Sequence, residues 1–214
     1  PWEQHEQAIS EFGFPLVIKP TRETGGSRGV HLVTSRTELI GLGPFIRLES
    51  LPIVQPYLGD ADSEYTVGIL SDKGGNVIDS IVIRRRLTGL SMLETKSYGG
   101  MTATISTGIS QGFVIRHREI QEFCEDLAKR LNSRGPLNLQ LRVHDGQFYV
   151  FEIHPRFSGT TPIRASAGFN EPDILLRNHL YDEEFGRLRY QADLAAIRAF
   201  EHVLIPVGEM CQWR

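Results

Sequence analysis

The feature that most constrains the fold is a pair of alternating segments joined by Asp145-Gly146. Apolar and polar side chains alternate strictly over residues 137–143, and they alternate again over residues 147–154. An Asp-Gly step between two such runs is typical of a β-hairpin. The period of two also demands one definite register, because a slip by one residue moves every side chain to the opposite face of the sheet.

The length of the turn decides that register. A two-residue turn at Asp145-Gly146 would pair Leu139 with Glu152 and so mix apolar and charged side chains. A three-residue loop with Gly146 in the left-handed region shifts the pairing by one residue and separates the two faces. The hydrophobic pattern therefore predicts the three-residue loop. In that register the leucines of the first strand lie opposite Tyr149, Phe151 and Ile153.

The three-residue loop also gathers polar side chains on the other face. A carboxylate, amide oxygens and a neighbouring imidazole on adjacent strands are able to ligate a divalent cation, and the alternative is an ordinary solvated face. Arg156 follows at once, ahead of a Gly/Thr segment, which is the arrangement that recognition of an anionic phosphate requires. This favours a functional interpretation. The polar residues are Asn138, Gln140, Glu152 and His154.

Composition narrows the class of protein. The 214 residues are 40% hydrophobic and 23% charged, as in an ordinary globular protein, and the net charge of -3 argues against a nucleic-acid binder. No run of about 18 apolar residues is present, so no membrane span is expected. Cys124 and Cys211, without metal-ligand spacing, indicate a reducing cytoplasm. The chain begins with Pro1 and not with Met, which indicates a fragment or a processed piece.

The rest of the chain divides into short predicted elements. Ser35 and Glu38 form a capping-box pattern that opens a helix. Cys124 falls on the apolar face of the clearest helix and is interpreted as a core residue. Residues 88–112 carry no legible pattern. Helices are predicted over residues 2–12 and 117–132, and strands over 14–19, 29–33, 64–70, 77–87 and part of 195–205.

A run of three arginines lies on one of these predicted strands. Alternation places Arg84 and Arg86 on one face and Arg85 on the other. The run is interpreted either as a group near phosphates or an acidic substrate, or as a charged edge that blocks unwanted strand pairing. Lys96, in the stretch without a pattern, is considered as a further phosphate contact.

Six short segments, taken in order, are recognisable together. They are Phe-Pro-Leu-Val-Ile-Lys-Pro (14–20), Gly-Gly-Ser-Arg-Gly-Val (25–30), Val-Gln-Pro-Tyr-Leu (54–58), Glu64-Tyr-Thr-Val, Asn138-Leu-Gln140 and Glu152-Ile-His-Pro-Arg156. The series resembles the ATP-grasp superfamily, in particular its branch like the large chain of carbamoyl phosphate synthase. The resemblance implies an α+β fold of two lobes, with mainly antiparallel sheets flanked by helices and ATP between them. Residues 1–53 would form the small lobe and residues 54–214 the larger one.

The resemblance implies a nucleotide site that uses both lobes. Lys19 would contact the phosphates, the alternative being a surface lysine. Residues 25–30 would form a glycine-rich flap over the triphosphate, the alternative being a tight turn. Glu64 would take the ribose hydroxyls, the alternative being a solvated carboxylate. The nucleotide-binding residues carried over are Lys19, Gly25, Gly26, Ser27, Gln55, Tyr57, Leu58 and Glu64, and the backbone of residues 55–58 would meet the adenine edge.

The resemblance also implies the metal and catalytic residues. Gln140 and Glu152 match ligands of Mg²⁺, and His154 stands where the family usually has Asn. Imidazole nitrogen suits softer metals than an amide oxygen does, so His154 raises Mn²⁺ as the alternative cation. Arg156, together with Lys19, matches the groups that steady the transferred phosphoryl group or the acyl phosphate.

The implied activity is that of an ATP-dependent ligase. It would activate a carboxylate as an acyl phosphate with Mg-ATP, and an amine or thiol would then displace the phosphate. The expected partners are small-molecule carboxylate and amine substrates, an upstream lobe of the same protein and a second copy in a homodimer, with no nucleic acid and no membrane. Two alternatives remain: a non-catalytic regulatory module that retains the fold and binds nucleotide, and a structural α+β domain.

Overall fold

The computed structural model describes residues 5–21, 27–46 and 52–199, which form antiparallel sheets flanked by helices. In chain order the elements are α1 (His5–Phe12), β1 (Leu16–Lys19), β2 (His31–Val33), α2 (Arg36–Ile46), β3 (Ile53–Pro56), β4 (Glu64–Ser71), β5 (Val77–Arg85), β6 (Met92–Tyr98), β7 (Met101–Ser106), β8 (Gly112–Ile115), α3 (Arg118–Arg130), β9 (Gly135–His144), β10 (Gln147–His154), α4 (Thr161–Ser166), α5 (Glu171–Tyr181) and β11 (Leu194–Ala196). The α+β class is confirmed. No helix in these described ranges has the length and apolar character needed to cross a membrane.

The first sheet has the order β2-β1-β3 and packs against α1 and α2. Its core is formed by Ile18, Val33 and Leu39, each at most 1% exposed. The strand β3 pairs with β1 and so extends this sheet through the predicted lobe boundary between residues 53 and 54. At the start of α2, Ser35 Oγ accepts from the Glu38 amide as the capping pattern predicts, whereas the Glu38 carboxylate accepts from the Thr34 amide.

The second sheet has the order β10-β9-β4-β5-β8-β11 and buries apolar side chains on both faces. One face packs against α3, where Ile120 and Cys124 are fully buried among strand residues. The other face is covered by α5 and the chain around Phe169 and Tyr190, whose rings meet edge to face. The predicted helix over 117–132 is confirmed, although Leu131 ends it 47% exposed. Residues 200–205 of the predicted last strand lie outside the described residues.

The hairpin of β9 and β10 differs from the predicted form at its turn. Asp145 and Gly146 have φ values of 49° and 71°, which suit a type I′ turn. His144 pairs with Gln147 directly across them. The turn therefore has two residues, and the predicted three-residue loop is wrong.

A β-bulge restores the predicted register further along this hairpin. Phe151 has no partner on β9, and the pairing shifts by one residue there. Beyond the bulge the pairs are Glu152 with Gln140, Ile153 with Leu139 and His154 with Asn138. The extra residue in β10 thus makes the tight Asp-Gly turn compatible with the polar face that the alternation predicted.

The bulge also changes the predicted apolar face. On the turn side of the bulge, Phe148 and Val150 pack against the core beside the leucines. Tyr149 points the other way and is 42% exposed, so its predicted place on the leucine face is wrong. The reason is the two-residue register, in which even-numbered residues of β10 share a face with odd-numbered residues of β9. Ile153 keeps its predicted partner, but it lies on an edge strand and is 46% exposed.

The stretch without a sequence pattern forms a separate hairpin of β6 and β7. This hairpin contacts β2, the edge strand of the first sheet. The Glu94 carboxylate accepts from the Leu32 amide, and the Lys96 ammonium donates to the Leu32 carbonyl and to Glu38. Lys96, considered as a phosphate contact, is therefore engaged in satisfying the open edge of β2.

Candidate active site

Two adjoining cavities lie between the first sheet and the β9–β10 end of the second sheet. The first has a volume of about 260 Å³ and mostly apolar walls, and the second has about 490 Å³. Both are lined by Lys19, Ser27 and Glu152, so the cavities meet at these residues. The first is also lined by Val17, Gln55, Tyr57, Leu58, Glu64, Ile105 and Arg142, and the second by Thr66, Asn138, Gln140, His154, Arg156 and Thr160.

Lys19 ends β1 and reaches across to the bulge in β10. Its Nζ donates to the Phe151 carbonyl at 3.0 Å. The bulge has left Phe151 without a ladder partner, so its carbonyl is available for this bond. Burial lowers the pKa of Lys19, and the nearby Glu152 carboxylate acts in the opposite direction. The predicted phosphate lysine thus lies at the meeting point of the cavities and is half-buried.

The segment of residues 55–58 forms one wall of the first cavity. The Tyr57 amide donates to the Pro15 carbonyl at 3.0 Å, which continues the ladder between β1 and β3. Because backbone groups alternate in direction along an antiparallel pair, those of Gln55 also face β1. The alternation turns the Pro56 carbonyl and the Leu58 amide away from β1. These two backbone groups are therefore not engaged in the ladder with β1, and Gln55, Pro56 and Leu58 all line the first cavity.

The side chain of Tyr57 is held by the β6–β7 hairpin and by Arg142 of the second sheet. Its hydroxyl accepts from the Thr104 amide at 2.8 Å, and the ring is 7% exposed. The Arg142 guanidinium stacks over the ring with its central carbon 4.4 Å from the centroid. Arg142 also donates to the Leu58 carbonyl at 3.1 Å, which occupies that oxygen. The wall is therefore rigid before any ligand arrives.

Glu64 begins β4 and is 1% exposed, so the alternative of a solvated carboxylate is wrong. Its Oε1 accepts from Arg85 Nη1 at 2.7 Å. Its Oε2 accepts from Arg142 Nε and Nη2 at 3.1 and 2.8 Å. Burial of a carboxylate is tolerated only with such pairing. Glu64 lines the first cavity, and Oε1 retains one lone pair for a ligand hydroxyl.

Arg85 is a site residue that sequence reasoning left undecided. It is 2% exposed, and the two hydrogens of its Nη1 are shared among three acceptors, Glu64 at 2.7 Å, Ser106 at 2.9 Å and Gln140 at 3.1 Å. Its Nη2 donates to the Thr107 carbonyl at 2.9 Å. The predicted alternation is confirmed, since Arg84 and Arg86 are exposed while Arg85 points inward. Burial therefore distinguishes Arg85 from its two exposed neighbours. The alternation of faces along the strand was the sequence signal that could have identified Arg85 as the inward-pointing arginine.

The predicted metal residues lie together beyond the bulge. The Glu152 carboxylate and the His154 imidazole are in direct contact through Oε1 and Nε2, and about a third of each side chain is exposed. A carboxylate beside an imidazole is a donor pair that suits a divalent cation. Within the part of the chain that the structure describes, no cluster of three His, Cys, Asp or Glu residues forms a complete metal site.

The two amide residues of this group are differently engaged. Gln140 Oε1 accepts from Arg85 Nη1 at 3.1 Å. Asn138 is 2% exposed, and its Oδ1 accepts from Arg164 at 2.6 Å and from Thr66 at 3.0 Å. Arg164 is in turn paired with the buried carboxylate of Glu171. Asn138 therefore belongs to a buried network behind the second cavity.

Arg156 and the chain that follows form the outer wall of the second cavity. Arg156 is exposed, and its Nη1 donates to the Phe157 carbonyl at 2.8 Å. Ser158 and Thr160 exchange a hydroxyl hydrogen bond at 2.6 Å just before α4. On the opposite side, Ser27 has a φ of 64° and touches both cavities. The predicted flap residues Gly25 and Gly26 lie outside the described residues.

The sequence comparisons point to one family. The family described as ATP-grasp in the biosynthetic pathway with Ter operon matches residues 50–201. The arginine-specific large chain of carbamoyl phosphate synthase from Geobacillus stearothermophilus is 28% identical over 154 residues, or 72% of this chain and 14% of that protein. The carbamoyl phosphate synthase large chain of Vibrio cholerae is 29% identical over 168 residues, or 76% of this chain and 15% of that protein. The chain thus spans only a small part of these relatives' length.

Solved structures agree on the architecture. The N5-carboxyaminoimidazole synthetase of Staphylococcus aureus in complex with ADP superposes with a TM-score of 0.60 at 14% identity, over 87% of this chain and 47% of that one. The D-alanine–D-alanine ligase of Bacillus anthracis superposes with a TM-score of 0.55 at 22% identity, over 85% of this chain and 58% of that one. The fold is therefore the ATP-grasp fold. With the family match over residues 50–201, the chain belongs to the ATP-grasp family.

Proposed function

We propose that this chain is the nucleotide-binding and catalytic part of an ATP-dependent ligase, which activates a carboxylate as an acyl phosphate for attack by an amine or thiol. The observation that carries the proposal is the convergence of Lys19 and Glu152 where an apolar cavity meets a polar one, with His154 in contact with Glu152 on the polar side. An apolar slot beside a charged, polar cavity suits a ligand with a flat base at one end and phosphates at the other.

The nucleoside would occupy the first cavity. The Pro56 carbonyl and the Leu58 amide would take the adenine edge, since the ladder with β1 leaves them free. The remaining lone pair of Glu64 Oε1 would accept from a ribose hydroxyl. Tyr57 and Arg142 would hold this wall in place through the stacked ring and guanidinium.

The phosphates would lie where the cavities meet, and the carboxylate substrate would enter the second cavity. Lys19 and Arg156 would bind the anionic oxygens, and Ser27 with the flap residues Gly25 and Gly26 would cover them. Glu152 and His154 would hold Mg²⁺ or Mn²⁺, which neutralises phosphate charge during transfer.

The reaction would proceed in two displacements. A carboxylate oxygen attacks the γ-phosphorus as the bond to the bridging oxygen breaks, which gives an acyl phosphate and ADP. An amine then attacks the acyl carbon, loses a proton to water and expels inorganic phosphate. Lys19 and Arg156 would offset the charge on the phosphoryl oxygens in both steps. Exclusion of water protects the acyl phosphate from hydrolysis.

The chain would act as part of a larger protein in the cytoplasm. The greater length of the relatives supports a further lobe in the complete protein. The proposal also includes two lobes within this chain, at residues 1–53 and 54–214, and a homodimer as the assembly. A reducing compartment is supported by Cys124, which is a free, buried thiol whose pKa is raised to about 12 by burial.

Calorimetric titration with the non-hydrolysable analogue AMP-PNP, with Mg²⁺ and with EDTA, tests the site. We expect binding that Mg²⁺ strengthens, and we expect Glu152→Gln to reduce the metal-dependent part at least tenfold, about 1.4 kcal/mol. The exposed Glu184→Gln is the matched control and should bind like the unmodified chain.

Two results would contradict the proposal. Binding of neither nucleotide nor metal would leave a structural domain as the function. Nucleotide binding without ADP formation, in a panel of carboxylates and amines given to the complete protein, would identify a regulatory module.

A further inference from the structure

The Gln140 carboxamide is held in one orientation by Arg85. A guanidinium has donors only, so the atom of Gln140 that lies 3.1 Å from Arg85 Nη1 is the oxygen Oε1. The assignment of oxygen and nitrogen in this amide therefore follows from the hydrogen-bond network. Among the described residues, the amino nitrogen Nε2 has no hydrogen-bond partner, and it is not among the buried unpaired atoms. Nε2 is therefore open to the second cavity, which Gln140 lines.

Arg85 itself is unable to swing away from Gln140. The two hydrogens of its Nη1 are shared among the buried Glu64 at 2.7 Å, Ser106 at 2.9 Å and Gln140 at 3.1 Å, and its Nη2 donates to the Thr107 carbonyl. The side chain is 1% exposed. A positive charge fixed this close to Gln140 Oε1 repels a second cation from the same oxygen.

We propose that Arg85 is a positioning residue that keeps Gln140 Oε1 on its guanidinium and turns Nε2 toward the phosphates, so that Gln140 donates directly to a nucleotide phosphate while Glu152 and His154 hold the cation. Gln140 would then act as a phosphate ligand and not as a metal ligand. This inference rests on the proposed function, because it assigns a role within the same nucleotide site.

The chemistry of the neighbouring residues agrees with this division. Glu152 is the ladder partner of Gln140 and is in contact with His154, so carboxylate and imidazole donors adjoin without the amide. The neutral Gln140 side chain would then lie between Arg85, which faces its oxygen, and the anionic phosphates, which would accept from its nitrogen. A hydrogen bond donated to a charged phosphate oxygen is stronger than a hydrogen bond between two neutral groups.

The test separates phosphate binding from metal binding on the full chain. The affinities for AMP-PNP and for AMP are measured in EDTA and again with Mn²⁺. We expect Gln140→Glu to weaken AMP-PNP binding in EDTA about tenfold or more, because a carboxylate replaces the donor. AMP binding should stay within about twofold, whereas the new carboxylate beside Glu152 and His154 should leave the Mn²⁺-dependent gain in AMP-PNP affinity undiminished or make it larger. The exposed Gln147→Glu on the same hairpin is the matched control.

Gln140→Ala provides a second variant without added charge. It should weaken metal-free AMP-PNP binding and leave AMP binding and the Mn²⁺-dependent gain within about twofold. Arg85 is tested by a double-mutant cycle. Arg85→Lys should weaken metal-free AMP-PNP binding more in the chain with Gln140 than in the Gln140→Ala chain, where only the loss through Glu64 remains, whereas a purely structural role would weaken both equally. If Arg85→Lys does not fold, the two Gln140 variants still decide the role of the amide.

Three outcomes would overturn the inference. Gln140 variants that retain metal-free affinity and lose the Mn²⁺ gain would make Gln140 a metal ligand. An unmodified chain that binds AMP-PNP only with metal would exclude a direct phosphate donor. A chain that binds no nucleotide under any condition would overturn the proposed function itself, and this result differs from the other two.

Discussion

Glu64 and Glu152 are carboxylates on strands of the same sheet, and they have opposite surroundings. Glu64 is 1% exposed with both oxygens on buried guanidinium groups. The Glu152 side chain is 39% exposed, and its described partner is the imidazole of His154. A carboxylate whose charge is already balanced organises a wall, whereas one with open lone pairs is available for a ligand. Strand position alone does not separate these roles.

Removal of Glu64 should give the largest effect on stability. Glu64→Ala leaves Arg85 and Arg142 buried without their counter-charge, and we expect a loss of about 3–5 kcal/mol in the free energy of unfolding. Urea denaturation followed by circular dichroism measures it. Glu152→Ala, which leaves no buried cation unpaired, serves as the comparison and should cost far less. Equal losses for the two variants would erase the distinction between them.

Tyr57→Phe tests the same wall with a smaller change. The variant removes the hydroxyl that accepts from the Thr104 amide but keeps the ring under Arg142. We expect a loss of about 1–3 kcal/mol in unfolding free energy, because the buried Thr104 amide is left without its partner. The midpoint of urea denaturation measures it. No change would mean that water replaces the phenol at no cost and that the wall does not depend on this bond.

The pKa of Lys19 reports the surroundings of Glu152. Burial lowers this pKa and the Glu152 charge raises it, so Glu152→Gln should lower it further. Between the lowered value and the usual 10.5, the folded state binds fewer protons than the unfolded state, and stability rises with pH in that window. Glu152→Gln should widen the window. NMR titration of the lysine side-chain nitrogen measures the shift, and an unchanged pKa would show that the two groups do not interact.

Much of the fold was predictable because its signals are local. The helix over residues 117–132 and the strands that end at Lys19 and begin at Glu64 follow from periodicity and turn residues. The capping pattern at Ser35 was half confirmed for the same reason. The β6–β7 hairpin, within residues 88–112, was not predictable, since its contacts to Leu32 involve residues 62 and 64 positions away in sequence.

The candidate site divides in the same way. The sequence by itself determined that Glu152 and His154 share one face of their strand, because a period of two puts alternate side chains on the same side. That Gln140 lies on the same face depended on the register of the hairpin. Only the tertiary structure decided how they meet. The bulge at Phe151 reconciles the tight turn with that face and frees the carbonyl that Lys19 contacts. The direction of the Gln140 amide depends on Arg85, 55 residues away, because a donor-only guanidinium fixes which atom faces it.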